Sequence, residues 1–159
     1  CDNLWLARYL LFRITEKYNV VVEFHPKPVK GDWNGSGLHC NFSNSFMRTQ
    51  GGKEYFDKIF EVFEKNHIMH IENYGSSNDQ RLTGNHETSP ITEFSTGVSN
   101  RGCSIRIPLD THNNQQGYLE DRRPASNADP YRIARAICTS VQEVVDAFDF
   151  NKVYATREN

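Results

Sequence analysis

The spacing of apolar residues gives the first outline of the chain. Over residues 3–18, Leu6, Leu10 and Ile14 recur at helical intervals with Ala7 and Leu11 beside them. Asp2 precedes them as a candidate N-cap, so this pattern predicts a helix packed on a sheet. Residues 20–24 are β-branched and aromatic and predict a strand, ended by Pro26 and Pro28. Residues 37–44 alternate: Leu38, Cys40 and Phe42 share one face, and His39, Asn41 and Ser43 share the other. An amphipathic helix is expected over 54–65, with Tyr55, Phe56, Ile59, Phe60 and Phe63 inward. A strand over 67–74 and a turn over 75–79 follow. Asp129-Pro130 reads as an N-cap with proline at the first helical position, opening a last helix with Ile133, Ile137, Val141, Val144 and Phe148 as its apolar stripe. The tail after Lys152 is polar and expected to fray.

Residues 81–95 fit neither period. They are polar and contain Gly84 and Pro90, which predicts a long functional loop or lid. After it come two β-like runs, Asn100 to Pro108 and Gly117 to Pro124, a hairpin-length connection apart. Tyr118, Glu120 and Arg122 alternate onto one face of the second. Arg101 and Arg106 are five apart, so they share a face only if Gly102 marks a bulge or the strand begins after it.

Bulk properties narrow the picture. A chain of 159 residues can form one domain with a core, and 37% hydrophobic and 24% charged residues are ordinary for a globular protein. The net charge of −2 gives no global field for nucleic acid, so anion binding must be local. No apolar run approaches a membrane span, and no leader or repeat is legible. Cys1, Cys40, Cys103 and Cys138 lack any C-x-x-C spacing and read as reduced thiols, which suits a cytoplasmic setting. An opening at Cys1 without Met fits a processed chain or the C-terminal part of a longer one.

The chemistry concentrates in the two runs. Arg101, Arg106, Arg122 and Arg123 offer planar forks that match phosphate and carboxylate oxygens. Glu120 among them is out of place in a simple anion site but makes sense beside a metal ion. His39 and Glu120, each mid-strand on a polar face, together would suit Mg²⁺ or Mn²⁺ with a third ligand still wanting; each alone is better explained as a hydrogen-bonded or salt-bridged group. Arg123 points away from Arg122 and reads as a structural ion pair. Glu87 is either an exposed carboxylate or a lid acid that enters on closure. The Gly-rich stretch 31–37 lacks the Lys-Ser/Thr ending of a P-loop, yet its glycines allow close backbone approach to a small ligand.

These segments together resemble glutamine synthetase, in the C-terminal catalytic portion of the eukaryotic type. The resemblance rests on Pro26-Lys27-Pro28, on the run from Gly31 through Trp33, Asn34, Gly35 and His39 to Ser43, and on Arg81-Leu82-Thr83-Gly84 with His86-Glu87-Thr88. It continues through Asn100-Arg101, Ser104-Ile105-Arg106-Ile107-Pro108, Gly117-Tyr118 and Glu120-Asp121-Arg122-Arg123-Pro124.

The resemblance implies an α/β (α+β) fold, with a curved, mostly antiparallel sheet and helices on its outer face. It implies ATP-dependent ligation of ammonia to glutamate through γ-glutamyl phosphate. By position, it makes His39 and Glu120 metal ligands, and Asn41, Ser43, Arg106 and Tyr118 nucleotide-binding. It puts Arg101 on the nucleotide, the transferred phosphoryl and glutamate, and Arg81 and Arg122 on glutamate, with Trp33, Asn34 and Gly35 on the glutamate loop. Glu87, Arg101 and Arg122 would be catalytic, Glu87 as the flap acid. It further implies a cytoplasmic homo-oligomer of stacked rings, a decamer for the eukaryotic type, without nucleic-acid or membrane partners.

The departures are Gln80 where the family usually has arginine, His25 for aspartate and Cys40 for threonine. The N-terminal β-grasp domain and the upstream acidic metal ligands have no counterpart in these residues. The chain is therefore expected to be a segment, inactive alone. A γ-glutamyl-amide ligase using another amine, a non-catalytic protein of the same fold and a plain nucleotide-binding module are the rivals.

Overall fold

The computed structural model describes residues 1–49 and 52–148. Among them are six α-helices and four strands. In chain order they are α1 (Asp2–Thr15), β1 (Cys40–Phe42), α2 (Ser45–Thr49), α3 (Lys53–Lys65), α4 (His67–Asn73), β2 (Thr96–Val98), β3 (Ile105–Ile107), α5 (Leu109–Asn114), β4 (Leu119–Asp121) and α6 (Pro130–Ala147). The strands form one sheet in the order β1-β4-β3-β2. β4 runs antiparallel to both β1 and β3, while β2 and β3 are parallel. This mixed, predominantly antiparallel sheet with helices is the α/β class expected.

Register divides the sheet into two faces. Asn41 lies opposite Glu120, and Glu120 opposite Arg106. Cys40, Asp121 and Ile105 form the neighbouring row, and the pleat turns it the other way. The alternation read from residues 37–44 holds: Leu38, Cys40 and Phe42 pack against the core. That core is Tyr55, Phe56, Ile59, Val62 and Phe63 of α3 with Ile133, Ala136, Ile137 and Val144 of α6, closed by Ile105 and Leu119 of the sheet. Phe42 stacks on Phe63 with ring centroids 5.1 Å apart. Asp129 caps α6 by accepting a hydrogen bond from the Tyr131 backbone N–H, and Pro130 takes the first helical position. Phe148, just past α6, joins the core edge. The tail after Lys152 lies outside the described residues.

Several sequence expectations need correcting. Where a strand is expected over residues 67–74 there is a helix, His67–Asn73, followed by Tyr74 as its C-cap. This helix, α4, puts His67 and His70 on one buried face, a spacing of three that a strand would split between two faces. Residues 20–24 have strand composition but irregular backbone, because no described strand offers them a ladder. Cys1, not Asp2, is the N-cap of α1, and it makes no side-chain cap bond. The apolar stripe of α1 is not core: Leu6, Leu10, Leu11 and Ile14 are exposed, and the buried residue of this helix is Arg8. Arg8 donates to the backbone oxygens of Ser126 and Ala128 at 2.7 and 2.9 Å. The connection between β3 and β4 is no simple hairpin loop, since it contains α5.

Candidate active site

β4 sits at the centre of the site face, so its alternate residues are the best supported side chains there. Glu120 lies between two guanidinium groups. Arg106 Nε on β3 donates to its Oε2, and Arg122 Nη1 donates to its Oε1 at 3.2 Å. His39, on the segment entering β1, approaches from the third side with Nδ1 3.2 Å from Glu120 Oε1. Arg81 Nη2 stands 3.2 Å from the other ring nitrogen of His39. Arg122 Nη1 also lies 3.3 Å from His39 Nδ1, so both ring nitrogens face guanidinium donors while Nδ1 faces the Glu120 carboxylate as well. The imidazole and the carboxylate thus meet edge to edge, with guanidinium groups on either side.

The electrostatics match that arrangement. Burial would raise the Glu120 pKa, but the Arg106 hydrogen bond and the charges of Arg122 and Arg106 outweigh it and hold the carboxyl below its usual value. Burial, with the cations of Arg122 and Arg81, lowers the pKa of His39 and keeps it neutral. An ionised carboxylate and a neutral imidazole are the protonation states in which both can ligate a hard divalent cation. The donor chemistry therefore fits Mg²⁺ or Mn²⁺, yet among the described residues no group of three or more His, Cys, Asp or Glu side chains comes together. His39 and Glu120 supply part of a coordination shell.

Arg81 is buried, and its guanidinium is spent within the protein. It donates to the backbone oxygens of Arg122 and Arg123 at 2.8 and 3.1 Å and to Asn78 Oδ1 at 3.2 Å. Burial and the like charge of Arg122 pull its pKa down to about 10. The glycines at 35 and 37 lie against it: a Cβ on Gly35 would sit 2.6 Å from Arg81 Cγ, and one on Gly37 2.5 Å from Arg81 Nη2. The close approach those glycines permit is thus an approach to Arg81. Trp33 and Asn34 of the same loop are exposed, and the Trp33 carbonyl accepts from Lys27 Nζ.

The loop at 81–95 is folded back on itself. Thr83 bridges Pro90, the Ile91 N–H donates to the Leu82 carbonyl at 2.9 Å, and Thr88 Oγ1 donates to the Asn85 carbonyl at 2.8 Å. His86 and Glu87 at its tip both have positive φ, 53° and 60°, an uncommon conformation for residues with side chains. Charge holds the tip. Glu87 Oε1 is 3.6 Å from Arg101 Nη1, Arg122 Nη2 donates to the Glu87 carbonyl at 3.4 Å, and His86 Nε2 is 3.2 Å from Asp32 Oδ1. The β3 strand begins only at Ile105, so Arg101 lies in the turn before it and meets the site without a bulge. Its carbonyl accepts from Arg122 Nε at 3.0 Å.

The remaining candidates lie along the outer rim. Asn41 is exposed beside Glu120 in register, Tyr118 is half-exposed at the start of β4, and the Ser43 hydroxyl accepts from Arg48 Nη1 at 2.6 Å. The structure thus gathers His39, Glu120, Arg106, Arg122, Arg81, Arg101 and Glu87 into one contact network, with Trp33, Asn34, Asn41, Ser43 and Tyr118 around it.

Sequence reasoning missed a second cluster directly behind the first. Arg123 grips both oxygens of Asp121, with Nε to Oδ1 at 2.9 Å and Nη2 to Oδ2 at 2.7 Å. Tyr74 donates its hydroxyl to Asp121 Oδ2 at 2.7 Å. His67 and His70 accept from Arg123 through their Nδ1 atoms at 3.0 and 2.6 Å. The direction of Arg123 could be read from strand alternation. The i, i+3, i+7 spacing of His67, His70 and Tyr74 was a legible sign of one helical face, masked by the strand-like composition around it.

Fold and site together define an α/β domain that presents a basic, imidazole- and carboxylate-bearing sheet face beneath a charged flap. A family model described as glutamine synthetase, catalytic domain, matches residues 1–59. The chain is 50% identical to a glutamine synthetase of Saccharomyces cerevisiae over 153 residues, covering 96% of this chain and 41% of the relative. It is 55% identical to one of Bradyrhizobium diazoefficiens over 145 residues, 90% of this chain and 42% of the relative. A cryo-EM structure of Plasmodium falciparum glutamine synthetase superposes over 93% of this chain and 30% of its own with a TM-score of 0.71 at 20% identity, a likeness of fold. The chain belongs to the glutamine synthetase family. It spans about two fifths of the length of those curated relatives.

Proposed function

We propose that this chain forms part of the active site of an ATP-dependent glutamate–ammonia ligase, which makes glutamine through γ-glutamyl phosphate. The observation that carries the proposal is Glu120, an ionised carboxylate held among His39, Arg106 and Arg122 on one sheet face. Phosphoryl transfer needs positive charge where oxygen atoms gain negative charge, and a fixed guanidinium wall meets that need. His39 and Glu120 would hold Mg²⁺ or Mn²⁺, which when bound neutralises phosphate charge. Arg106 faces the nucleotide phosphates, with Asn41, Ser43 and Tyr118 beside the nucleotide. Arg101 faces the nucleotide, the transferred phosphoryl and the substrate carboxyl. Arg122 binds glutamate, and Trp33, Asn34 and Gly35 line its loop. The resemblance puts Arg81 on glutamate, but its guanidinium is committed to the backbone oxygens of Arg122 and Arg123, so it serves the same pocket by fixing that backbone and packing against Gly35.

Glu87 caps the site as the flap acid, and its contact with Arg101 supports a flap that closes by charge. An acyl phosphate hydrolyses when water enters, so such a cover serves the chemistry. On this reading the protein is a cytoplasmic ring-shaped homo-oligomer, a decamer of stacked rings. Support comes from free cysteines and from the exposed apolar side chains of α1. Among the described residues no helix is long and apolar enough to cross a membrane. The isolated chain is expected to be inactive, since its described residues supply two metal donors only.

Glutamine formation dependent on ATP and ammonia, assayed on the full-length protein, tests the proposal. Phosphate release and product formation that follow another amine instead would move the assignment to a γ-glutamyl-amide ligase, and no glutamate-dependent ADP release at all would sink it.

A further inference from the structure

The two clusters on either side of β4 meet again at the base of the flap. One leg of the loop is fixed by Arg81, which holds the backbone of Arg122 and Arg123. The other leg ends at Ile91, whose carbonyl accepts a hydrogen bond from His67 Nε2 at 2.8 Å. His67 can make that bond only as the Nε2–H tautomer. Arg123 enforces this tautomer, because its guanidinium donates to Nδ1 and has no acceptor to offer. His67 is buried and packs edge-on to Phe94 with centroids 6.1 Å apart. Arg123 is itself held by both Asp121 oxygens, and Asp121 lies beside Glu120 in β4. A continuous hydrogen-bonded path therefore runs from the site strand through Arg123 and His67 to the second leg of the flap.

We propose that His67 is a positioning residue that tethers the flap base to the buried Arg123–Asp121 pair, so that the tip carrying Glu87 stays in register with Arg101 and Arg122. The loop is otherwise suited to move. Its tip is held by largely exposed charges, whereas its base is held by the buried Arg81 bonds and the part-buried His67–Ile91 bond. A rigid base beneath a charge-held tip confines motion to the residues that must open.

The catalytic consequence rests on the ligase reading given above. With the tether cut, the flap closes poorly and water reaches γ-glutamyl phosphate. The water oxygen bonds to the carbon of the γ-carboxyl group, and the bond from that carbon to the bridging oxygen breaks with its electron pair leaving on phosphate. The proton of water passes to solvent. Glutamate and inorganic phosphate are recovered, and no glutamine forms.

The test combines two readouts on His67→Phe, which keeps a ring but loses both hydrogen bonds, and His67→Gln, which retains a donor and an acceptor. Amide hydrogen exchange of residues 83–91 should rise about tenfold or more in His67→Phe, while exchange across α6 stays unchanged, and His67→Gln should restore protection. In the full-length protein, phosphate released per glutamine formed should rise several-fold in the Phe variant and return toward one in the Gln variant. If His67→Phe does not fold, His67→Ala, which leaves room for water beside Arg123, takes its place. Unchanged flap exchange in a folded variant, or equal loosening of α6, overturns the tether. A wild-type protein that forms no glutamine overturns the ligase reading instead, and the exchange measurement still decides the tether.

Discussion

Three carboxylate–arginine pairs of similar chemistry lie at three depths in this protein. Asp121–Arg123 is sealed behind the sheet, with neither side chain more than 1% exposed. Glu120–Arg122 lies on the site face, about a tenth exposed. Glu87–Arg101 lies at the flap tip, more than half exposed. Depth changes what each pair can do. The buried pair has every polar atom matched by Tyr74, His67 and His70, so it holds elements together and cannot exchange partners cheaply. The middle pair is ordered but accessible, as a ligand site requires. The outer pair can open.

The sharpest break is at the deepest pair. Arg123→Ala leaves Asp121 buried without its cation, and thermal or denaturant unfolding should register a loss of about 3–5 kcal/mol. Next comes the middle pair. Glu120→Gln should lower the glutamine-forming rate of the full-length protein about a hundredfold or more, with a smaller loss of unfolding free energy than at the deep pair.

Acid separates the depths in a different way. Burial and the Arg123 charge lower His70 from 6.5 to about 4. The unfolded chain therefore binds a proton that the folded chain refuses between those values, and stability falls as pH drops from about 6.5 to about 4. The slope is at most about 1.4 kcal/mol per pH unit. Denaturant titrations across that window should flatten in His70→Gln, which can still accept from Arg123 and donate to Ser140. The smallest effect belongs to the outermost pair: Glu87→Gln should change unfolding by less than about 0.5 kcal/mol, whatever it does to turnover.

These depths were only partly legible in the sequence. Period-two alternation named the faces of residues 37–44, and the helical stripes of α3 and α6 named their buried sides. The inward direction of Arg123 followed from Arg122 pointing to the site. The same alternation turns Asp121, the neighbour of Glu120, toward the core. Residues 67–74 misled because Ile68, Met69 and Ile71 suit a strand locally. What decides for helix is the tertiary demand that His67 and His70 both reach Arg123. For α1 the periodicity was right and the burial wrong: spacing says which residues share a face, and it is silent on what covers that face.

The flap illustrates the same limit. Its lack of periodicity marked it as a loop, and its acid was noticed as a lid candidate. The base contacts were invisible because they join backbone carbonyls to side chains far along the chain, as His67 to Ile91 and Arg81 to Arg122. Backbone acceptors leave no trace in residue identity.

The uncovered stripe of α1 has one more consequence. Trp5, Leu6, Leu10, Leu11, Phe12 and Ile14 present aromatic and aliphatic surface to water along one short helix. A chain bearing such a surface gains free energy from any neighbour that covers it. Its melting temperature, studied alone, should therefore climb with protein concentration, and its folding free energy has a value only once that concentration is stated.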